Sequence, residues 1–185
     1  MTATEEQYLA FDRGAEFRHE LMDGEVVERP GANLRHATLR MNLIGEIHAA
    51  LRTTSCEVFG SDLRVRASSR TYTYPDLTIV CGRPVLADER EDVLLNPRVI
   101  FEVLSPSTEY YDRGVKFRRY REIDSLVDYI LVDQDQARIE QFTRGDSHTW
   151  TLRDYQDASE LLLIESIGIS LPIARIYERI EFPSE

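Results

Sequence analysis

One lysine stands in this chain against twenty-one arginines, and it is Lys116. A guanidinium stays charged in proteins, whereas an amine is a compact charge whose pKa can be moved, so a solitary lysine is a candidate for chemistry. A short distance upstream, Glu102 interrupts the apolar run Val99-Ile-Phe-Glu-Val-Leu104. A carboxylate buried there needs a cation or a hydrogen-bond donor beside it. Asp76 follows Tyr74-Pro75 at the mouth of a second apolar run, Leu77-Thr-Ile-Val80. Two carboxylates at the ends of neighbouring strands can hold a hard divalent cation such as magnesium, with waters and substrate phosphate completing its shell. Such an ion activates water and stabilises charge at a reacting phosphoryl group. Lys116, directed inward, would support the carboxylate pair and position or deprotonate an attacking water. The plainer alternative is a snorkelling stem or a simple ion pair with Glu102.

The elements that must position these groups follow an α/β order. Thr4-Glu-Glu-Gln7 has capping-box spacing and opens a short helix to about Asp12. Residues 18–22 and 25–28 flank Asp23-Gly24, a two-residue turn that predicts a β-hairpin. Leu39, Leu43, Ile44, Ile47 and Leu51 form one stripe of a helix over 34–52. Strands are expected at 57–59, 63–67, 74–80, 99–104, 129–132, 139–142 and 150–152. The run at 99–104, apolar on both faces, predicts a central covered strand. A helix over 113–123 places Lys116, Tyr120 and Ile123 on one face, and Pro172 opens a last helix carrying Ile173, Ile176, Tyr177 and Ile180. The stretch 83–96 is expected to be a long loop. The order predicts a mixed sheet with helices on its faces, followed by extra antiparallel strands.

A chain of 185 residues, 42% hydrophobic and 30% charged, fits one soluble domain over 1–185. No apolar run approaches the roughly 18 residues that cross a bilayer, and no signal-peptide pattern is present. A cytoplasmic protein without a membrane partner is expected. Cys56 and Cys81 lack metal-site spacing and read as two separate reduced thiols. The net charge of −11 argues against coating nucleic acid indiscriminately, because phosphate binding runs on cationic neutralisation. It leaves room for a local basic site. Arg64, Arg66 and Arg70, and the run Arg113, Lys116, Arg118, Arg119 and Arg121, are expected to border one cleft if the substrate is DNA.

The combination His19-Glu-Leu-Met-Asp-Gly-Glu25, His36 opening a helix, Pro75-Asp76, Glu102-Val-Leu-Ser-Pro-Ser-Thr108, Asp112, Lys116, Tyr120 and Asp128-Tyr-Ile-Leu-Val-Asp133 resembles the Uma-two family, classed with the restriction endonucleases of the PD-(D/E)XK superfamily. The resemblance covers about residues 5–145. It implies a restriction-endonuclease-like core with Asp76 and Glu102 as magnesium ligands, manganese serving as substitute. The superfamily's usual lysine stands two residues after the glutamate, and here that place is Leu104. In this family the lysine has moved to the following helix, which matches Lys116. Glu20 matches a further family position, as a third acidic group or a partner of metal-bound water. Its alternative is an exposed hairpin carboxylate. His36 could contact a scissile phosphate or interact only with Asn33 and local backbone. Ser105, Ser107 and Thr108 read as turn and capping residues. No nucleophile elbow, P-loop or dinucleotide fingerprint occurs.

The leading functional expectation is a magnesium-dependent endonuclease that cuts DNA by metal-assisted attack of water. A homodimer would supply the two sites that a duplex needs. Two alternatives stand beside it: a non-catalytic nucleic-acid-binding or regulatory module that retains the fold, and a phosphoryl hydrolase acting on a small molecule in a closed pocket.

Overall fold

The computed structural model describes residues 1–29, 31–146 and 149–183. Helix α1 (Glu5–Gly14) opens with the expected capping box, Thr4 and Gln7 each accepting the other's backbone N–H. The hairpin β1 (His19–Met22) and β2 (Glu25–Glu28) turns at Asp23 and Gly24, with φ of 53° and 90°. Two successive positive φ values match the twist of a tight hairpin, and glycine adopts the second without strain. Helix α2 (Leu34–Leu51) starts at Asn33, whose side chain accepts the His36 N–H, and buries Leu39, Leu43, Ile47 and Leu51.

Strands β3 (Cys56–Gly60), β4 (Arg64–Ser68), β5 (Thr71–Thr73), β6 (Leu77–Cys81), β7 (Val93–Leu94) and β8 (Val99–Leu104) follow. A π-helical turn, Tyr111–Lys116, runs into the short helix α3 (Phe117–Tyr120). The chain then forms β9 (Asp128–Asp133), β10 (Ile139–Arg144), β11 (Trp150–Tyr155), β12 (Leu161–Ile164), β13 (Ile169–Pro172) and the single turn α4 (Ile173–Ile176). The central sheet has the order β11-β10-β9-β8-β6-β3. A second sheet, β2-β1-β5-β4-β7, joins the N-terminal hairpin to the middle of the chain, and β12-β13 form a separate ribbon. This is the expected mixed α/β fold with an N-terminal helix and hairpin and antiparallel strands at the C-terminal side.

Strand β8 is central, antiparallel to β6 and parallel to β9. Its pleat sends Val99, Phe101 and Val103 into the core under α2. Ile100 and Leu104 enter the opposite core, which Tyr120, Ile123 and Leu126 cover. Glu102 shares the parity of Ile100 and Leu104, so it faces the π-helical turn.

Several boundaries differ from the sequence expectations. The expected strand 74–80 starts only at Leu77, after Pro75, which has no N–H for a ladder, and a separate strand precedes it. Thr71–Thr73 joins the second sheet while Leu77–Cys81 joins the central one. The 83–96 stretch contains β7, paired in parallel with β4. The helix around Lys116 begins earlier, at Tyr111, and its first part is π-helical. Cys56 and Cys81 are a disulfide rather than separate thiols. They stand directly opposite each other on β3 and β6, a cross-strand register that spacing alone does not reveal.

Candidate active site

Glu102 is 3% exposed, and three polar groups approach its carboxyl group. Lys116 Nζ donates to Oε1 at 3.0 Å, the Tyr120 hydroxyl lies 2.9 Å from the same oxygen, and the Asp76 backbone N–H reaches Oε2 at 3.4 Å. Burial pushes the Glu102 carboxyl up to about 8, with Asp112, Asp76 and Glu20 adding to the rise and Lys116 opposing it.

Asp76 is equally buried but shifts the other way. Its Oδ2 accepts the Val103 N–H at 2.9 Å. Its Oδ1 meets His36 Nε2 and Arg29 Nη2, each at 3.0 Å, with Arg40 Nη1 at 4.0 Å. Burial alone would raise this carboxyl. The His36 contact, then Arg29 and the Val103 N–H, hold it below the usual carboxylate range. Two neighbouring carboxyl groups with pKa values driven apart are a recurrent arrangement in acid-base sites.

Lys116 lies 3.0 Å from Glu102, 3.2 Å from Asp112 and 3.3 Å from Glu20. Burial disfavours its charge, yet Glu102, Glu20 and Asp112 more than offset this and keep the amine charged well above its ordinary range. In this arrangement Lys116 is an ammonium donor rather than a base. Glu20 is buried, not an exposed hairpin carboxylate, and accepts the Tyr74 N–H at 2.9 Å. The π-helical turn places Asp112 beside Lys116 on the buried side, and such turns recur at functional sites.

Asp76, Glu102, Lys116, Glu20 and His36 all line one cleft of about 840 Å³. The basic runs behave differently from expectation. Arg64 is buried against Asp12 and Asp92, Arg66 pairs with Glu5, and Arg119 pairs with Asp23 and Glu122. These three are absent from the cleft lining, whose positively charged side chains are Arg29, Arg40 and Lys116, with the His36 ring beside them. Arg29 and Arg40 were missed by reading charge runs. Arg40 carried a usable signal, because it lies four residues after His36 and helix geometry stacks those positions. Ser105, Ser107 and Thr108 hydrogen-bond among themselves beside the cleft, as turn residues do.

The donors fit a hard divalent cation. Glu20, Glu102 and Asp112 share the one Lys116 ammonium, and Asp112 Oδ1, although 3.2 Å from it, receives no properly directed hydrogen bond from the described residues. Among the described residues no three His, Cys, Asp or Glu side chains are grouped so that they could hold a metal ion together. Magnesium needs no such group, since one or two carboxylates plus water and substrate oxygens suffice. Among the described residues, too, no helix is long and apolar enough to cross a membrane.

Comparison with known proteins adds a lineage to this geometry. Residues 5–174 match the model of the Uma2 family, whose description reads "Putative restriction endonuclease". The chain belongs to the Uma2 family. Two uncharacterised proteins of Synechocystis are similar to it. One is 33% identical over 179 residues, 96% of this chain and 92% of that protein, and the other is 32% identical over 152 residues, 82% and 86% respectively. A crystal structure from Anabaena variabilis, described as "a putative nuclease belonging to DUF820", superposes with a TM-score of 0.78 at 15% identity, covering 94% of this chain and 97% of that one. The likeness establishes a shared fold. The Uma2 match extends beyond residue 145, where the motif resemblance ended, and takes in β11 to β13.

Proposed function

We propose that this Uma2 protein is a magnesium-dependent endonuclease that hydrolyses DNA phosphodiester bonds with metal-activated water. The observation that carries the reading is the convergence of Asp76, Glu102 and Lys116 on one cleft. Asp76 and Glu102 would hold the ion, with manganese as a substitute. A bound ion supplies water of lowered pKa and neutralises charge at the phosphate. The family's description and that of the Anabaena protein support this class of reaction.

The chain's own groups have distinct tasks in this reading. Lys116, kept charged by the carboxylates around it, donates hydrogen bonds that orient the attacking water and offset charge in the transition state. Tyr120 and the Asp76 N–H fix the Glu102 carboxyl group. Arg29 and Arg40 give a phosphodiester its cationic contacts, as guanidinium forks do well, and His36 adds a ring nitrogen beside them. Glu20 and Asp112 hold the ammonium in place.

The test is magnesium-dependent nicking of supercoiled plasmid and of a single-stranded DNA circle by wild type and Asp76→Ala. Wild type should cut at least one of them, and both chelation and the substitution should abolish cutting. Equal cutting by the two folded proteins would mean a contaminant or another site, and no cutting of either substrate would defeat the reading.

A further inference from the structure

Gln134 directly follows β9, is 2% exposed, and among the described residues has no hydrogen-bond partner for its Oε1. It lines the same cleft as Asp76, Glu102 and Lys116. The reason is topological: β9 runs parallel to β8 with Asp133 opposite Leu104, so both strand ends open into one crevice. Buried polar side chains are nearly always partnered, and an unpartnered amide on a cleft wall points to a ligand that supplies the missing partner. The hydroxyl of Tyr111, another residue lining the cleft, is a second buried atom without a partner among the described residues.

The Asp76 side of the cleft has the opposite character, being lined by Arg29, His36 and Arg40. A third feature stands next in the chain to the lining residue Tyr111 and is not itself part of the cleft lining. Tyr110 is 89% exposed, so burial in a core gives no account of its ring. A ligand with an anionic group, a flat face and an edge of hydrogen-bonding groups satisfies all three features, and a nucleotide has them.

Resting on the nuclease reading above, we infer that the cleft takes one unpaired nucleotide, with its phosphate against Arg29, His36 and Arg40, its base stacked on Tyr110 and its base edge on Gln134. In a duplex both faces of a base are stacked and its pairing edge is used. Only an extruded or already unpaired base can present these surfaces, and extrusion costs least where no pair exists. Stacking on an exposed aromatic ring is the usual way single strands are held without regard to sequence. The preferred substrate is therefore DNA with unpaired nucleotides, such as single strands, bulges or flaps, and an abasic position should bind poorly because it has neither ring nor edge.

The experiment is fluorescence anisotropy with the full chain, calcium replacing magnesium, and three labelled DNAs: a blunt duplex, the same duplex with one bulged adenine, and the same bulge made abasic. Wild type should bind the adenine bulge about tenfold or more tighter than either other DNA. Gln134→Leu and Tyr110→Ala should each weaken bulge binding by roughly three- to tenfold, the loss expected for one hydrogen bond or one stacking contact, and leave duplex binding unchanged. Tyr110 is exposed, so its substitution keeps the test valid if Gln134→Leu disturbs folding. Equal affinity for bulge and duplex, wild-type bulge binding by Tyr110→Ala, or no binding to any of the three overturns the inference. Magnesium-dependent cutting that ignores unpaired bases would defeat this inference alone. Absence of all cutting would defeat the nuclease reading and leave the binding measurements to decide the subsite.

Discussion

Lys116 Nζ lies 3.0 Å from Glu102 Oε1, and the two residues are 6% and 3% exposed. A strand and the π-helical turn after it thus meet through one buried ion pair. Removing one partner of such a pair ordinarily leaves an uncompensated charge. Glu102 has a way out, because its carboxyl group already titrates near 8 and can take up a proton.

Lys116→Met should therefore fold, with a modest fall in melting temperature, while nicking drops about 10²-fold or more, the scale of losing an electrostatic or acid-base contributor. Lys116→Arg should restore only part of the activity, since a planar fork does not replace a compact ammonium. Plasmid nicking and thermal melts on the same preparations check both statements. Undiminished nicking by folded Lys116→Met would remove this residue from the mechanism.

Metal binding gives a second expectation, independent of turnover. Asp76→Asn keeps the shape of the side chain while removing its charge, and should weaken manganese binding by about tenfold or more as read by calorimetry. Wild-type affinity in the variant would exclude Asp76 as a ligand.

Acid stability should be sensitive to Asp92. Arg13 donates to both of its oxygens, at 2.7 and 2.9 Å, and Arg64 adds a contact at 2.6 Å. These contacts, the Arg13 hydrogen bonds foremost, hold the Asp92 carboxyl at about 2, below its ordinary 3.8. A depressed carboxyl stabilises the fold above its unfolded pKa, and that contribution is lost as pH falls through the folded value. Denaturation midpoints should decline between about pH 4 and pH 2 in wild type, and Asp92→Asn should flatten that part of the curve. Parallel curves for the two proteins would contradict the assignment.

The Cys56–Cys81 bond closes a segment of 25 residues. Loop-closure entropy over that length corresponds to about 2–4 kcal/mol of stability. Dithiothreitol, or the double substitution Cys56→Ser with Cys81→Ser, should lower the urea midpoint without changing metal binding, because the pair sits at the β3 edge of the sheet, away from the cleft lining. An unchanged midpoint under reduction would mean that the bond contributes nothing to folding.

Much of the site was legible in the sequence because its residues break local rules: a charge inside an apolar strand, a proline before an aspartate, a solitary lysine on an apolar helical face. The α2 stripe was legible for the converse reason, since Leu39, Leu43, Ile47 and Leu51 follow the helical period and are buried as it requires. Long-range pairing was not legible. Arg64 sits beside Arg66 and Arg70 in a run that looks solvated, yet Asp12 and Asp92 draw it to 2% exposure. The disulfide depended on strand register. Gln134 carried no signal, because an amide beside Asp133 looks like any turn residue until its surroundings are known. Strands β12 and β13 were missed; each is four residues long, and their pairing with one another lies outside the central sheet.

The register of β6 on β8 pairs Leu77 with Phe101, Thr78 with Ile100 and Ile79 with Val99. One step further it would oppose Asp76 to Glu102, and there the two side chains take over from the ladder: Asp76 accepts the Val103 N–H, and Glu102 is approached by the Asp76 N–H. The carboxylates thus serve as the terminal rungs of the sheet. A protein slipped by one residue could not assemble them on one face, since the pleat would carry Glu102 to the other side. Competence for chemistry and correctness of strand pairing are then one event. Amide exchange at Val103 should report on both, slowing when a ligand clamps the cleft and quickening whenever the sheet end frays.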